Sequence, residues 1–107
     1  MKGLIVSSGE IDNYDLLEEL ISECDYILCA DGGVAHLRKL GRLPDLVLGD
    51  LDSISNSDLN YIKRNGVKIE QYPVIKDKTD TELAIEHMLK KNCREVTLTG
   101  VTGSRLD

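Results

Sequence analysis

The residues best suited to chemistry are two aspartates, Asp50 and Asp52, which follow a short apolar segment and a glycine. Residues 46–48 have the length and branching of a buried strand, which Gly49 would end. In an extended backbone both carboxylates would point to one side, beyond a strand's carboxyl end, where open α/β sheets bind ligands. Carboxylates about 5 Å apart repel by roughly 3 kcal/mol at an effective dielectric near 20, and bound Mg²⁺ would remove that penalty. The spacing fits a capped turn at Asp52 and Ser53 equally well.

Further acids occupy equivalent places along the chain. Asp31 follows another apolar segment, Asp80 opens an amphipathic segment, and Asp107 lies beyond the last predicted strand. Asp31 and the Asp50–Asp52 pair each follow a predicted strand, and in a parallel sheet the carboxyl ends of these strands lie at the same edge. Asp80 and Asp107 reach this edge only if their loops fold toward it. Taken singly, Asp31 and Asp80 are better explained as helix-capping or first-turn acids. Taken together, the acids favour metal binding.

The segment from Gly100 to Arg105 is the natural candidate for holding phosphate. Gly100 and Gly103 allow backbone N–H groups to approach an anion closely, and Arg105 can donate two parallel hydrogen bonds to phosphate oxygens. An ordinary turn with a surface arginine remains the alternative. Neither the G-x-x-x-x-G-K-[ST] loop nor the G-x-G-x-x-G fingerprint is present, which disfavours P-loop kinases and dinucleotide dehydrogenases.

The lysines and histidines are weaker candidates for a functional site. Lys76 and Lys78 could neutralise phosphate charge but are better explained as solvated surface lysines. His36 and His87 fall in predicted helices without metal-like spacing, so we expect them to be exposed or partly packed. No arrangement typical of nucleophilic catalysis is present.

The strands and helices that position these residues are predicted to alternate along the chain. The predicted strands are residues 3–7, 26–30, 46–49, 67–71 and 96–99. Predicted helix starts are Asp12 or Asn13, the Asp31-Gly32-Gly33 turn, Ser57, and Thr79 in a capping box with Glu82. Each predicted helix has one apolar face. These faces are, in chain order, Leu16, Leu17, Leu20 and Ile21 in the first helix; Val34, Leu37 and Leu40 in the second; Leu59 and Ile62 in the third; and Ala84, Ile85, Met88 and Leu89 in the fourth. Gly41 is predicted to end the second helix and Asn65-Gly66 the third. This alternation predicts an α/β fold with a doubly wound parallel sheet.

Composition limits the partners. One hundred and seven residues suit one small domain, and a formal charge of -6 without Trp or Phe argues against binding to nucleic acid. No apolar run is long enough for a signal peptide or a membrane span. Cys24, Cys29 and Cys93 form no C-x-x-C pair, so we expect reduced, mostly buried thiols in a cytoplasmic protein.

Four motifs occur in order from about residue 29 to the end: Asp31-Gly32-Gly33; Pro44-Asp45 with Gly49-Asp50-Leu51-Asp52-Ser53; Lys76-Asp77 with Thr79-Asp80 and Glu82; and Gly100-x-x-Gly103-x-Arg105-x-Asp107. At these residues the chain resembles the catalytic domain of thiamine pyrophosphokinase. The chain departs from the family in having Val34-Ala35 for Ala-Asn, Leu51 for Phe, and Ser104 for Gly.

The resemblance implies a three-layer α/β/α domain followed by a β-sandwich domain, in a homodimer. It implies Mg²⁺-dependent transfer of pyrophosphate from ATP to the hydroxyl of thiamine, giving thiamine diphosphate and AMP. By position, it makes Asp50, Asp52 and Asp80 the catalytic residues that hold Mg²⁺. Gly100, Gly103 and Arg105 would line the nucleotide phosphates, with Asp31 and Asp107 completing the acidic pocket.

The family continues past Asp107 with a helix and the β-sandwich, which helps to build the thiamine site of the partner subunit. We therefore expect residues 1–107 to be an incomplete nucleotide-binding catalytic domain, inactive alone. Two other classes of protein stay open. One is a related metal-dependent phosphate enzyme, such as a pterin pyrophosphokinase or a haloacid-dehalogenase-like phosphatase with Asp50 as nucleophile. The other is a non-catalytic nucleotide-binding fragment.

Overall fold

The computed structural model describes residues 1–7, 9, 11–49, 54–70 and 80–99, and for Asp31, Asp80 and Thr81 only the backbone. Five strands in this part of the chain pair in parallel, in the spatial order β4-β3-β2-β1-β5. Their bounds are β1 Lys2–Val6, β2 Tyr26–Ala30, β3 Leu46–Leu48, β4 Lys68–Glu70 and β5 Glu95–Thr99. Each lies within two residues of its predicted range.

The helices are α1 Tyr14–Glu23, α2 Val34–Lys39 after a 3₁₀ turn at Asp31–Gly33, α3 Asn56–Arg64, and α4 Asp80–Lys90. The N-cap of α1 is Asn13, whose side chain accepts a hydrogen bond from the Leu16 backbone N–H. Asn13 is one of the two residues, Asp12 and Asn13, that were predicted to cap this helix. The N-cap of α3 is Ser55, so the prediction of Ser57 was wrong. The predicted cap at Thr79 lies outside the described residues.

Gly41 ends α2 as predicted. It has a φ of +69°, which glycine adopts without steric cost. The Arg42 N–H donates to the Leu37 carbonyl at 2.9 Å, and the Gly41 N–H donates to the Arg38 carbonyl at 3.1 Å. These two bonds are those of a Schellman motif, which satisfies the last carbonyls of a helix.

The sheet has an apolar core on each of its two faces, so the helices form two layers. Leu4 and Val6 of β1 belong to a core with residues of α1, α2 and α3, whereas Ile5 belongs to the opposite core with Ala84 and Met88 of α4. Side chains that alternate between the two faces of a strand make this division possible. The doubly wound, three-layer α/β/α fold is therefore confirmed.

Two leucines depart from the predicted helix faces. Leu16 is 51% exposed and Leu89 is 63% exposed, whereas Leu17 and Met88, their immediate neighbours, are buried. Successive helical residues are rotated by about 100°, so a position adjacent to the buried row can turn away from the sheet. The buried row on each of these helices is narrower than the leucine pattern predicted.

The cysteines are free thiols. Cys29 and Cys93 are buried and Cys24 is partly buried, as expected for small apolar side chains. Burial raises the pKa of the Cys29 thiol well above its usual value, which keeps this thiol protonated and unreactive. In the described part of the chain, no helix has the length and apolar composition that a membrane span requires.

Candidate active site

The strand connections define where a ligand would bind. From β1 to β4 each strand is added on one side of the sheet, and β5 is then added on the other side of β1. Because such connections are right-handed, this reversal places α4 on the face opposite α1, α2 and α3. Open α/β sheets bind their ligands at the carboxyl ends of the strands, beside the reversal point. Here that point lies between the ends of β1 and β5.

The strand register brings the ends of neighbouring strands to one level. Ala30 pairs with Leu48, and Val6 pairs with both Cys29 and Thr99. Each carboxyl end is therefore beside the next one along a single edge of the sheet. This edge is where the sequence analysis expected the acids to meet.

The structure describes the positions next to the candidate residues rather than their side chains. Asp50, Asp52, Gly100, Gly103, Arg105 and Asp107 lie outside the described residues, as do Lys76 and Lys78. Asp31 and Asp80 are described as backbone positions, the first residue of the turn after β2 and the first residue of α4. Gly49 and Thr99 are the last described residues before Asp50 and Gly100. Whether the candidate side chains meet therefore stays a prediction.

Gly33 packs the turn after β2 against the end of β1. A Cβ atom at Gly33 would lie 2.0 Å from the Val6 carbonyl oxygen and 2.7 Å from its carbon. Because these are backbone atoms, no side chain can move to make room. The second glycine of the Asp31-Gly32-Gly33 motif is therefore required by this close approach.

The prediction that His36 is exposed or partly packed was wrong. His36 is only 9% exposed, and its Nε2 lies 2.7 Å from the Gly9 carbonyl oxygen. Its Nδ1 lies 2.8 Å from the Tyr14 hydroxyl oxygen. Since a carbonyl only accepts, Nε2 donates to the Gly9 carbonyl, while Nδ1 shares its hydrogen bond with the Tyr14 hydroxyl. His36 thus links α2 and the start of α1 to the segment that follows β1.

No local signal could have identified this network. The two contacts of His36 span 27 and 22 residues of sequence. Periodicity within a helix reports which side is buried, but it does not identify a polar partner on another element.

Asp58 is a second buried polar residue that the sequence analysis did not single out. It is 4% exposed, and its carboxylate accepts a hydrogen bond from Arg38 Nε. Its backbone N–H donates to Ser55 Oγ at 3.2 Å. This acid therefore joins α2 to α3 and has a structural role, distinct from that proposed for the metal-binding acids.

His87 lies at the opposite edge of the sheet. Its Nε2 is 3.1 Å from the hydroxyl oxygen of Tyr26, the first residue of β2. Burial lowers the pKa of His87, which keeps the ring neutral at physiological pH. This histidine is therefore remote from the candidate edge.

Within the described residues, no group of three or more His, Cys, Asp or Glu side chains could hold a metal ion. The acids predicted to bind metal are not part of that set. The structure thus describes the surroundings of the candidate site. They are the aligned strand ends, the turn at Gly33 that packs against β1, and the hydrogen bonds of His36 to Gly9 and Tyr14.

Comparison with known proteins assigns the family. The family model described as "Thiamin pyrophosphokinase, catalytic domain" matches residues 17–107. The chain belongs to the thiamin pyrophosphokinase family. The match confirms the resemblance seen from about residue 29, extends it upstream, and includes every candidate site residue from Asp31 to Asp107.

Named relatives agree with this assignment. Thiamine pyrophosphokinase of Bacillus subtilis (strain 168) is 32% identical over 77 residues, which are 72% of this chain and 36% of the relative. Thiamin pyrophosphokinase from Geobacillus thermodenitrificans superposes with a TM-score of 0.75 at 26% identity, over 100% of this chain and 50% of that one. The Candida albicans enzyme gives a TM-score of 0.71 at 28% identity, over 85% of this chain and 32% of that one. The chain thus spans about a third of the curated relative and half or less of these structures.

Proposed function

We propose that this chain is the nucleotide-binding catalytic domain of a cytoplasmic, Mg²⁺-dependent thiamine pyrophosphokinase. Its proposed reaction transfers pyrophosphate from ATP to thiamine and yields thiamine diphosphate and AMP. The observation that carries the proposal is the family match over residues 17–107. A β-sandwich domain and a homodimer complete the proposed full-length enzyme, with the thiamine site built largely by the second domain.

The reaction exchanges one bond to phosphorus for another. The hydroxyl oxygen of thiamine forms a bond to the β-phosphorus of ATP, and the bond from that phosphorus to the oxygen bridging to the α-phosphate breaks. The hydroxyl proton passes to a base, and AMP leaves with the bridging oxygen. Catalysis of this kind depends mainly on positioning and on neutralisation of charge.

Carboxylate oxygens are the donors that Mg²⁺ prefers, so the three acids Asp50, Asp52 and Asp80 fit this ion chemically. When bound, the ion would neutralise phosphate charge and orient the triphosphate. The same function assigns the backbone N–H groups of Gly100 and Gly103 and the guanidinium of Arg105 to the phosphates. Asp31 and Asp107 complete the proposed pocket.

The fold supports part of this arrangement, because three of the proposed residues come at once or one residue after strands that end at one edge of the sheet. Asp31 directly follows β2, Asp50 follows Gly49 after β3, and Gly100 follows β5. Parallel strands with aligned ends would therefore bring charged groups together without any long connection.

Calorimetry with a non-hydrolysable ATP analogue tests the proposal. We expect binding that requires Mg²⁺ and that Asp52→Asn abolishes, because the substitution removes one metal ligand. Asp15→Asn is the matched control, since it removes the same charge from the exposed side of α1. Tight binding without metal, or unchanged binding by Asp52→Asn, would contradict the metal role of the carboxylates.

The products distinguish the alternative enzymes in the full-length protein. A pyrophosphokinase forms AMP from ATP when thiamine is present. A phosphatase with Asp50 as nucleophile releases inorganic phosphate from simple esters instead. Release of phosphate without AMP would overturn the proposed reaction, while binding without either product would favour a nucleotide-binding module.

A further inference from the structure

The end of β1 lies beside the reversal point of the sheet, where a ligand is expected to bind, yet none of the candidate site residues follows this strand. The Ser7 backbone N–H donates to the Thr99 carbonyl at 2.8 Å, so Ser7 continues the pairing of β1 with β5 by one residue. The reversal point of the sheet lies between these two strands. Ser7 is therefore a polar side chain at the place where a ligand is expected.

The side of the sheet on which Ser7 lies follows from strand alternation. Gly3 faces α4, since a Cβ atom there would lie 2.8 Å from the sulfur of Met88, and Ile5 shares a core with Met88. Ser7 is two residues beyond Ile5 in the same ladder, so it lies on the α4 side.

The hydroxyl group of Ser7 has an unusual environment. Its Oγ is shielded from solvent and has no hydrogen-bond partner in the described parts of the chain. A buried hydroxyl without a partner costs about 1–3 kcal/mol. A bound ligand that accepts a hydrogen bond would remove this cost, and an alanine at position 7 would avoid it altogether.

The helix on the same side favours an anion as that ligand. α4 has 11 residues and begins at Asp80, after the chain leaves the carboxyl end of β4. The start of a helix carries roughly half a positive charge and unpaired N–H groups, both of which attract phosphate. The Ser7 hydroxyl and the start of α4 therefore lie on one side of the sheet and belong to the same edge.

The backbone around Ser7 is held in place by contacts on both sides. Gly33 approaches Val6 and Ser7 so closely that a Cβ atom would lie 3.3 Å from the Ser7 carbonyl carbon. Two residues further along, the Gly9 carbonyl accepts the hydrogen bond from His36. A hydroxyl on a fixed backbone loses little freedom when it binds a ligand, which strengthens its contribution to affinity.

We propose that Ser7 is a further ligand-contacting residue, whose hydroxyl donates a hydrogen bond to a phosphoryl oxygen of the bound nucleoside triphosphate. The inference rests on the proposed function, because it takes the ligand of this edge to be a nucleotide with its metal. Within that function it adds the end of β1 to the phosphate-binding surface.

The test compares Ser7→Ala with the parent chain by calorimetry, using the non-hydrolysable ATP analogue with Mg²⁺, and by thermal unfolding without ligand. Loss of a hydrogen bond to a charged acceptor should weaken binding by about 10- to 100-fold. The melting temperature of the free protein should stay equal or rise, because no internal bond is lost. Ser22→Ala is the control, since it removes a hydroxyl that donates to the Glu18 carbonyl on the exposed side of α1, and it should not change affinity.

Each contrary result has a distinct meaning. If Ser7→Ala binds the analogue as tightly as the parent, the inference fails and the proposed function stands. If Ser7→Ala melts at a markedly lower temperature or does not fold, the hydroxyl has a partner within the protein and the inference also fails. If the parent itself does not bind the analogue with Mg²⁺, the proposed function fails and the inference fails with it.

Discussion

At the scale of single residues, positions 33 and 66 both require glycine, but for different reasons. Gly33 has a φ of -58° and a ψ of -20°, which any residue can adopt, but its missing side chain makes room for the Val6 carbonyl. Gly66 has a φ of +72° and open space where a Cβ atom would lie. Steric contact therefore selects glycine at the candidate site, and backbone conformation selects it at the end of α3.

We expect Gly33→Ala to lower the free energy of unfolding by about 3 kcal/mol or more, because backbone atoms must move to admit the methyl group. Gly66→Ala should cost only about 1–2 kcal/mol, the strain of a left-handed conformation. Urea denaturation of both variants measures the difference. Equal losses would show that the turn can shift away from β1 without penalty.

At the scale of elements, helix caps and polar links determine how the helices meet the sheet. Ser55 caps α3, because its hydroxyl oxygen accepts from the Asp58 N–H, while the Asp58 carboxylate also binds Arg38 of α2. His36 performs a similar role between α2 and the chain after β1. The layer of α1, α2 and α3 is thus held by specific polar contacts in addition to its apolar core.

Two serines that lie two residues apart test the start of α3. Ser55→Ala should reduce the free energy of unfolding by about 1 kcal/mol, since it removes the acceptor for a helix N–H. Ser57→Ala is the matched control, because Ser57 lies in the first turn and is exposed, and it should change stability by less than about 0.5 kcal/mol. Denaturant unfolding of the two variants checks this order, and a reversed order would restore Ser57 as the cap.

At the scale of the whole molecule, the chain provides a sheet edge but spans only part of the length of its relatives. It covers 50% of the Geobacillus thermodenitrificans structure and 36% of the Bacillus subtilis relative. In the proposed function, this α/β domain binds ATP and Mg²⁺. Recognition of thiamine is proposed to require the second domain of a partner subunit.

We therefore expect residues 1–107, mixed with Mg²⁺, ATP and thiamine, to bind nucleotide but to form no thiamine diphosphate. The physical reason is that a hydroxyl which is not held near the β-phosphorus gains nothing from proximity. Chromatographic detection of thiamine diphosphate measures the outcome, with a full-length relative as the positive control. Turnover by the 107-residue chain would refute the proposed division of substrate binding between domains.

Local sequence determined most of the elements and the family. Apolar runs such as residues 26–30 predicted strands, Asn13 and Gly41 marked helix ends, and the four ordered motifs indicated the family, because each signal depends on neighbouring residues. Tertiary structure alone decided the pairing of β5 with β1, the burial of His36 and Asp58, and the exposure of Leu16 and Leu89. These features depend on contacts between residues far apart in sequence, about which local periodicity carries no information. The position of the Ser7 hydroxyl beside the reversal point has the same origin, since it depends on the pairing of β1 with the distant β5.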